Sequence, residues 1–220
     1  MIKFQRFYLK MSLEVFVGCQ ASNKSLSNIL ESTKWLDVLG GRGLFINSSI
    51  DSRESIDNIS SNSSSYRGIS DKFDTFKVFS LMEILSLVNI DDYQVISIDE
   101  CQFFPDLEVF VKFLLSKNLH VICSGLDSDW LANDFGQVSK LLKLSTRFVK
   151  LSAKCLWCKN ELNSTNVRLI PDACRTGKLI SGSAQIEAGG KDKYVPLCFH
   201  HHREHLRTIH NIDPDLDSNL

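Results

Sequence analysis

A segment near the N-terminus has the residue types of a phosphate-binding loop. Gly18-Cys19-Gln20-Ala21-Ser22-Asn23-Lys24-Ser25 follows the frame G-x-x-x-x-G-K-[ST], with Asn23 where the motif has glycine. In such a loop, backbone N–H groups surround phosphates at a helix N-terminus, the lysine neutralises their charge and the serine hydroxyl ligates Mg²⁺. Because asparagine adopts left-handed backbone conformations readily, we expect the loop to close at a cost of about 1 kcal/mol.

A pair of carboxylates follows an apolar run later in the chain. Asp99 and Glu100 come directly after Val95-Ile96-Ser97-Ile98, which is typical of a buried parallel strand. In a phosphate-loop enzyme such a strand delivers one carboxylate to the Mg²⁺ side of the nucleotide, and the next can accept a proton from an attacking hydroxyl. The alternative is a strand that ends in two solvated acids.

Two ligand pairs in the C-terminal third have the spacing of a zinc site. Cys155-x-x-Cys158 and Cys198-x-x-His201 lie about forty residues apart, and two such pairs can surround Zn²⁺ tetrahedrally. All four positions would then be protein ligands, so the metal is expected to be structural. The histidine is open among residues 200–202, where three histidines are consecutive and spacing favours His201. The alternative is reduced structural cysteines beside an incidental histidine.

The elements that would position these residues alternate between strands and helices. A strand at 13–17, a helix at 26–39 and a strand at 44–46 predict the start of a βαβ unit. Residues 48–70 hold ten serines and predict a mobile loop. Farther on, the pattern predicts a helix or a strand plus helix at 73–88, strands at 95–98, 120–124 and 148–151, and helices at 107–115 and 135–144.

Composition excludes several classes of protein. The 220 residues carry 25 basic and 26 acidic side chains, and this balance disfavours a nucleic-acid-binding face. No run approaches 18 apolar residues, and the N-terminus lacks a secretory pattern, so we expect a cytoplasmic protein with no membrane partner. Seven cysteines, an odd number in a long chain, favour reduced or metal-bound thiols.

Four segments in chain order carry further characteristic residues. They are Asp99-Glu100-Cys101-Gln102-Phe103-Phe104, residues 125–137 (GLDSDWLANDFGQ), residues 151–158 (LSAKCLWC) and residues 189–198 (GGKDKYVPLC). The series resembles the D-E-x-Q-F-F, G-L-D-x-x-F…P-F-G, K-L-T-A-x-C-x-x-C and G-G-x-D-K-Y-x-P-x-C blocks of the cellular-type (type II) thymidine kinases. The resemblance covers residues 13–202.

This resemblance implies ATP-dependent phosphorylation of the 5′-hydroxyl of thymidine, with Glu100 as general base. It implies that Mg²⁺ with ATP is held by the loop residues and by Asp51, Ser52, Arg53, Asp99 and Gln102. For the nucleoside it implies contacts from Phe103, Trp130, Gln185, Ile186, Glu187, Ala188, Gly189 and Tyr194. A structural Zn²⁺ and a homotetramer or dimer are further implications.

The expected fold class is α/β: a P-loop NTPase-like parallel sheet with crossover helices, plus a small zinc-ribbon lasso domain. We expect an N-terminal extension (1–12), a kinase domain (13–152), a zinc-binding lasso domain (153–206) and a flexible tail (207–220). One alternative is a relative with altered nucleoside specificity or lost activity that serves as a nucleotide-binding or assembly module, favoured by Asn23 and Gln20. A zinc-ribbon nucleic-acid binder is disfavoured by the balanced charge.

Overall fold

Six parallel strands form the central sheet of the protein. The computed structural model describes residues 11–51, 70–162, 170–179 and 192–214. The strands are β1 (Ser12–Gly18), β2 (Gly43–Ser48), β3 (Phe73–Val78), β4 (Val95–Ile98), β5 (His120–Leu126) and β6 (Arg147–Leu151). Their order in the sheet is β3-β2-β4-β5-β1-β6, so β1 lies inside the sheet between β5 and β6. The predicted α/β fold class is confirmed.

Two helices cover opposite faces of this sheet, and they bury different kinds of residue. Helix α3 (Leu107–Ser116) buries Leu107, Phe110, Val111 and Leu114, the apolar spacing of an amphipathic helix. Helix α1 (Lys24–Leu39) instead buries asparagine and serine beside Ile29 and Leu36. Among the helices that the structure describes, none has the length and apolarity needed to cross a bilayer.

The segments beside the sheet differ in part from the sequence prediction. Residues 73–88 form β3 followed by a short helix, α2 (Ile84–Leu87), which is the strand-plus-helix alternative. The helix predicted at 135–144 is wrong: the structure has only a 3₁₀ turn, Val138–Leu141. Gly136 has a φ of 60°, and a Cβ there would lie 2.2 Å from the carbonyl oxygen of Gln102. The chain at Gly136 therefore passes close to the Gln102 backbone in a non-helical conformation, and no α-helix can include this position.

The C-terminal third forms a second, smaller lobe. Strands β7 (Ala153–Lys154) and β8 (Asp172–Ala173) pair antiparallel, as do β9 (Arg175–Lys178) and β10 (Tyr194–Leu197). Helix α4 (Leu156–Leu162) follows β7, and α5 (Phe199–Ile209) follows β10. The boundary of the flexible tail was predicted at Arg207, which is too early. Helix α5 continues to Ile209, and His210 Nε2 lies 2.7 Å from the Lys178 carbonyl oxygen. Of the serine-rich loop expected at 48–70, residues 52–69 lie outside the described residues.

Candidate active site and metal centre

The segment Gly18–Ser25 connects the end of β1 to the start of α1 and folds around one carbonyl oxygen. The Cys19 oxygen accepts hydrogen bonds from the Ser22 amide at 3.3 Å, the Ser22 hydroxyl at 2.8 Å and Lys24 Nζ at 2.8 Å. A Cβ at Gly18 would lie 2.3 Å from the Leu151 oxygen, so only glycine fits where the loop leaves the sheet. The lysine ammonium is thus held inside the loop, where a phosphate would need it.

Two residues of this loop have left-handed backbone conformations. Asn23, immediately before α1, has a φ of 60° and a ψ of 32°, the conformation that we expected asparagine to supply in place of glycine. Ala21 has a φ of 61° and is exposed. Alanine has no side-chain hydrogen bond to offset the steric cost of this conformation, which is about 1–2 kcal/mol.

Asp99 lies next to the serine of the loop, at the end of β4. Its Oδ1 atom accepts hydrogen bonds from Ser25 Oγ at 3.0 Å and from Ser124 Oγ at 2.5 Å, and the side chain is buried. Burial and, after it, the neighbouring Glu100 carboxylate raise the pKa of Asp99 to about 7 against the opposing effect of the two serine hydroxyls. A buried carboxylate beside a second one favours a bound cation, and oxygen ligands of this kind fit Mg²⁺.

Glu100 is held in position by its backbone and by one amide side chain. Its φ of 48° and ψ of 40° are left-handed. Gln102 Nε2 donates to Glu100 Oε2 at 2.7 Å, while Gln102 Oε1 accepts from the Leu126 amide at 3.0 Å. Gln102, which we expected on the ATP and Mg²⁺ side, therefore has its side chain hydrogen-bonded to Glu100 and to β5.

The lysine of the phosphate loop is affected by the same carboxylates. Burial lowers the pKa of the Lys24 ammonium, and the charges of Glu100, Cys19 and Asp99 oppose that shift.

The aromatic residues expected to contact the nucleoside lie in different surroundings. Phe103 is half-buried and meets the Phe135 ring edge-on at 5.6 Å between centroids. Trp130 is 5% exposed; its ring lies 4.5 Å from that of His210, with Lys178 Nζ 5.7 Å from its centroid. Tyr194, on β10, is half-buried and pairs in register with Lys178. Of the three, Trp130 has the least surface open to a ligand.

Asp51 is the described part of the segment expected to meet ATP phosphates. It is buried just beyond β2, where the side-chain amide of Asn47 donates to Asp51 Oδ2 at 3.4 Å and Lys77 Nζ donates to its carbonyl oxygen at 2.9 Å. Ser52 and Arg53 lie outside the described residues, and so do the loop residues 185–189. Their roles stay predictions.

The four predicted zinc ligands converge at one point of the second lobe. His201 Nδ1 lies 3.4 Å from Cys155 Sγ, 3.2 Å from Cys158 Sγ and 3.5 Å from Cys198 Sγ, and all four ligand atoms lie within 4.8 Å of one another. Three thiols and one imidazole at these separations are the donor set of a tetrahedral structural zinc site. Of the three consecutive histidines, His201 is the one whose ring joins this cluster.

The other side of the His201 ring also has a partner. Its Nε2 atom lies 3.0 Å from a carboxylate oxygen of Glu161, at the end of α4. A carboxylate on the far nitrogen fixes the tautomer and orientation of a metal-binding histidine. The neighbouring His202 takes a different role, because its Nε2 lies 2.8 Å from the Trp130 carbonyl.

The phosphate loop contacts the second lobe directly. Cys19 Sγ donates to the Ala173 carbonyl at 3.3 Å, and the Gln20 amide donates to Thr176 Oγ1 at 3.0 Å. Cys19 also packs in one apolar cluster with Cys155, Ala173 and residues of β10. Burial raises the pKa of the Cys19 thiol, consistent with a packed, unreactive cysteine. The four-ligand cluster and the phosphate loop therefore share an apolar core.

Sequence reasoning missed several residues of these sites. Thr176 contacts Gln20 and Glu161 contacts His201, in each case a residue far away in the chain, and the sequence offers no signal for such contacts. Asn28 and Ser124 are different, because Asn28 lies on the buried side of α1, where an apolar residue is expected. A polar residue on the buried face of a helix indicates a hydrogen-bonded network, and this signal was available in the sequence.

A loop of this form after the central strand β1, with the acidic residue that ends β4 at its serine and only β5 between the two strands, is the arrangement of a P-loop fold. The thymidine kinase family model matches residues 11–202. A thymidine kinase of Choristoneura fumiferana entomopoxvirus is 33% identical over 190 residues, covering 86% of this chain and 94% of the viral protein. One of Mesomycoplasma hyopneumoniae (strain 7448) is 32% identical over 187 residues, covering 84% and 92%. The chain belongs to the thymidine kinase family and is a phosphotransferase, which confirms the resemblance.

The strain in the loop generates a stability prediction. We expect Ala21→Gly to raise the free energy of unfolding by about 0.5–1 kcal/mol, because glycine removes the steric cost of the left-handed conformation. Ala153→Gly, in the extended strand β7, should instead lower it by about 0.5–1 kcal/mol. Urea unfolding of both variants measures the difference. Equal destabilisation by the two changes would contradict strain at Ala21.

The metal centre generates a second prediction. Metal analysis of the purified protein should find about one zinc per chain, and Cys155→Ser should lose the metal and lower the melting temperature. Cys174→Ser is the matched control, because Cys174 belongs to the same lobe but not to the four-ligand cluster. It should keep the zinc. Less than about half a zinc per chain in the unmodified protein would rule out a stoichiometric structural site.

Proposed function

We propose that this protein transfers the γ-phosphoryl group of ATP to the 5′-hydroxyl of thymidine, with Glu100 as general base. The observation that carries the proposal is the meeting of the phosphate loop with two adjacent carboxylates, in a chain of the thymidine kinase family. Ser25 Oγ lies 3.0 Å from Asp99 Oδ1, and Glu100 is the next residue. Phosphate-binding groups and a base are thus within one site.

On the ATP side, the proposed contacts are the loop residues 18–25, joined by Asp51, Ser52 and Arg53. Lys24 Nζ, now bonded to the Cys19 carbonyl, would turn to the β- and γ-phosphates. Ser25 and Asp99 would hold Mg²⁺, which when bound neutralises charge on the phosphate oxygens. The partly buried setting strengthens each of these electrostatic contacts relative to water.

On the acceptor side, the proposed contacts are Phe103, Trp130, Tyr194 and the backbone of residues 185–189. Phe103 directly follows Gln102, whose side chain donates to the Glu100 carboxylate, and its half-buried ring is the aromatic face proposed for the thymine ring. A pyrimidine has a flat apolar face and a polar edge, which suit an aromatic wall and main-chain hydrogen bonds.

The proposed reaction is an in-line displacement at the γ-phosphorus. The 5′-oxygen forms a bond to phosphorus while the bond to the ADP oxygen breaks, and Glu100 accepts the hydroxyl proton. Gln102 keeps the carboxylate oriented toward the acceptor while its other end stays bonded to β5.

Three further features complete the proposal. The four-ligand centre holds a structural Zn²⁺, since protein atoms supply every position of a tetrahedral site and leave none for a substrate. From the family resemblance we propose a homotetramer or a dimer, in the cytoplasm. The lobes correspond to a kinase domain and a zinc-binding lasso domain that meet near residue 153.

The test is phosphorylation by the purified protein of each deoxynucleoside in turn, with Mg²⁺ and ATP. We expect thymidine to be phosphorylated and Glu100→Gln to lower kcat by about 10²–10⁴-fold, because the amide cannot accept the proton. ADP binding, measured by calorimetry, should change by less than about 3-fold, since the phosphate loop is intact.

A surface substitution of the same chemistry provides the control. Asp91→Asn removes a carboxylate that pairs with Lys117 at the surface, and it should leave turnover unchanged. Phosphorylation of another deoxynucleoside in preference to thymidine would support the altered-specificity alternative. Turnover of no nucleoside above the Glu100→Gln level would sink the kinase proposal and leave a nucleotide-binding module.

A further inference from the structure

A chain of buried hydrogen bonds runs from α1, across β4 and β5, to the Asp99 carboxylate. Asn28 lies at its centre. The Asn28 side-chain amide donates to the Ile98 carbonyl at 3.1 Å and to Ser124 Oγ at 2.7 Å, while Asn28 Oδ1 accepts from Ser97 Oγ at 2.6 Å and from Ser32 Oγ at 3.1 Å. Asn28 and the three serines have no exposed surface.

The partners of Asn28 fix the direction of every bond in this network. A backbone carbonyl can only accept, so the Asn28 NH₂ group must face Ile98, and its second proton then goes to Ser124. The Ser124 oxygen therefore accepts from Asn28 and sends its own proton to Asp99 Oδ1, 2.5 Å away. The orientation of the Ser124 hydroxyl is set by α1 rather than by the carboxylate that it serves.

Asp99 thus has two hydroxyl donors of different character. Ser25 belongs to the phosphate loop and is one of the groups proposed to turn toward Mg²⁺ and nucleotide. Ser124 lies on β5, is fully buried, and keeps its direction through Asn28. When Ser25 turns to its ligand, Ser124 is the donor that still holds Asp99 Oδ1.

We propose that Asn28 and Ser124 are positioning residues for Asp99: the Asn28 amide locks the Ser124 hydroxyl, which holds the Asp99 carboxylate ready for a divalent cation. The inference rests on the proposed function for the role of Asp99. An outer hydrogen bond of this kind orients a ligand before the metal arrives and commonly governs metal affinity. An apolar face on α1 would also pack against the sheet, but it would leave the Ser124 hydroxyl without the amide that fixes its direction.

Two buried serines on neighbouring strands make a matched test. Ser124 and Ser97 are equally buried and both contact Asn28, but only Ser124 reaches Asp99. We expect Ser124→Ala to weaken the affinity for Mn²⁺–ADP by about 10-fold. The affinity is measured from the electron paramagnetic resonance signal of free Mn²⁺. Ser97→Ala should change it by less than about 2-fold, because Ser32 still donates to Asn28 Oδ1. ADP binding without metal should be unchanged in both variants.

Thermal unfolding separates a positioning role from a structural one. We expect the two variants to lose similar amounts of melting temperature, since each removes one buried hydroxyl from the same network. Equal Mn²⁺–ADP affinities in the two folded variants would overturn the proposal. If Ser124→Ala does not fold, Asn28→Ser against Ser32→Ala carries the same comparison, and equal affinities there would overturn it too.

The readout is independent of turnover, so its failure is distinguishable from failure of the kinase proposal. A protein that binds Mn²⁺–ADP through Asp99 but phosphorylates no nucleoside would lose the proposed function and keep this inference. A protein that phosphorylates thymidine, with equal affinities in Ser124→Ala and Ser97→Ala, would do the reverse.

Discussion

The hydrogen bond between Ser25 and Asp99 joins residues 74 positions apart and depends on the register of the central sheet. Strand β5 pairs with β1 on one side and with β4 on the other, and all three strands are parallel. Their last residues, Gly18 of β1 and Ile98 of β4, therefore lie at the same C-terminal edge of the sheet. The loop after β1 and the carboxylates after β4 must then emerge side by side. A shift of β4 by one residue would turn its buried side chains to the opposite face and separate the two halves of the site. The site is therefore a property of sheet order first and of individual residues second.

The second lobe adds a constraint from the other side of the phosphate loop. Cys19 and Gln20, the two residues after the loop glycine, are bonded to Ala173 and Thr176 of that lobe. Cys19 shares its apolar cluster with Cys155, a member of the four-ligand Cys/His cluster. Packing in such a cluster transmits small displacements, because interiors are dense and leave little room to adjust. A metal bound by the four-ligand cluster would therefore also support the shape of the phosphate loop, which supplies none of those four ligands.

The sequence predicted five strands of the central sheet, β1, β2, β4, β5 and β6, because each depends on a local pattern of apolar residues. Strand β4 was predicted at its observed bounds because a short run of apolar or small residues before two acids is typical of a buried parallel strand that ends at the acids. The helix predicted at 135–144 failed because a long-range approach to the Gln102 turn overrides local propensity there. The apolar period of α1 is loose because Asn28 and Ser32 occupy its buried face, opposite polar side chains of β4 and β5. Only the fold reveals that match, as the partners come from three separate segments.

The distribution of backbone strain argues that the site was assembled at the expense of local stability. Of the six non-glycine residues with positive φ in the described part of the chain, three lie in the phosphate loop or directly beside it: Ala21, Asn23 and Glu100. Non-glycine residues hold such conformations only where surrounding structure over-determines them, at a cost of about 1–3 kcal/mol each. Here the surroundings are the bonds that converge on the Cys19 carbonyl, the Gln102 amide at Glu100 and the buried network under Asp99. The loop residues are thus held by hydrogen bonds within the loop, and Glu100 is held by an amide that is itself bonded to β5, so the loop and the sheet must both be in place before the phosphate site takes its shape.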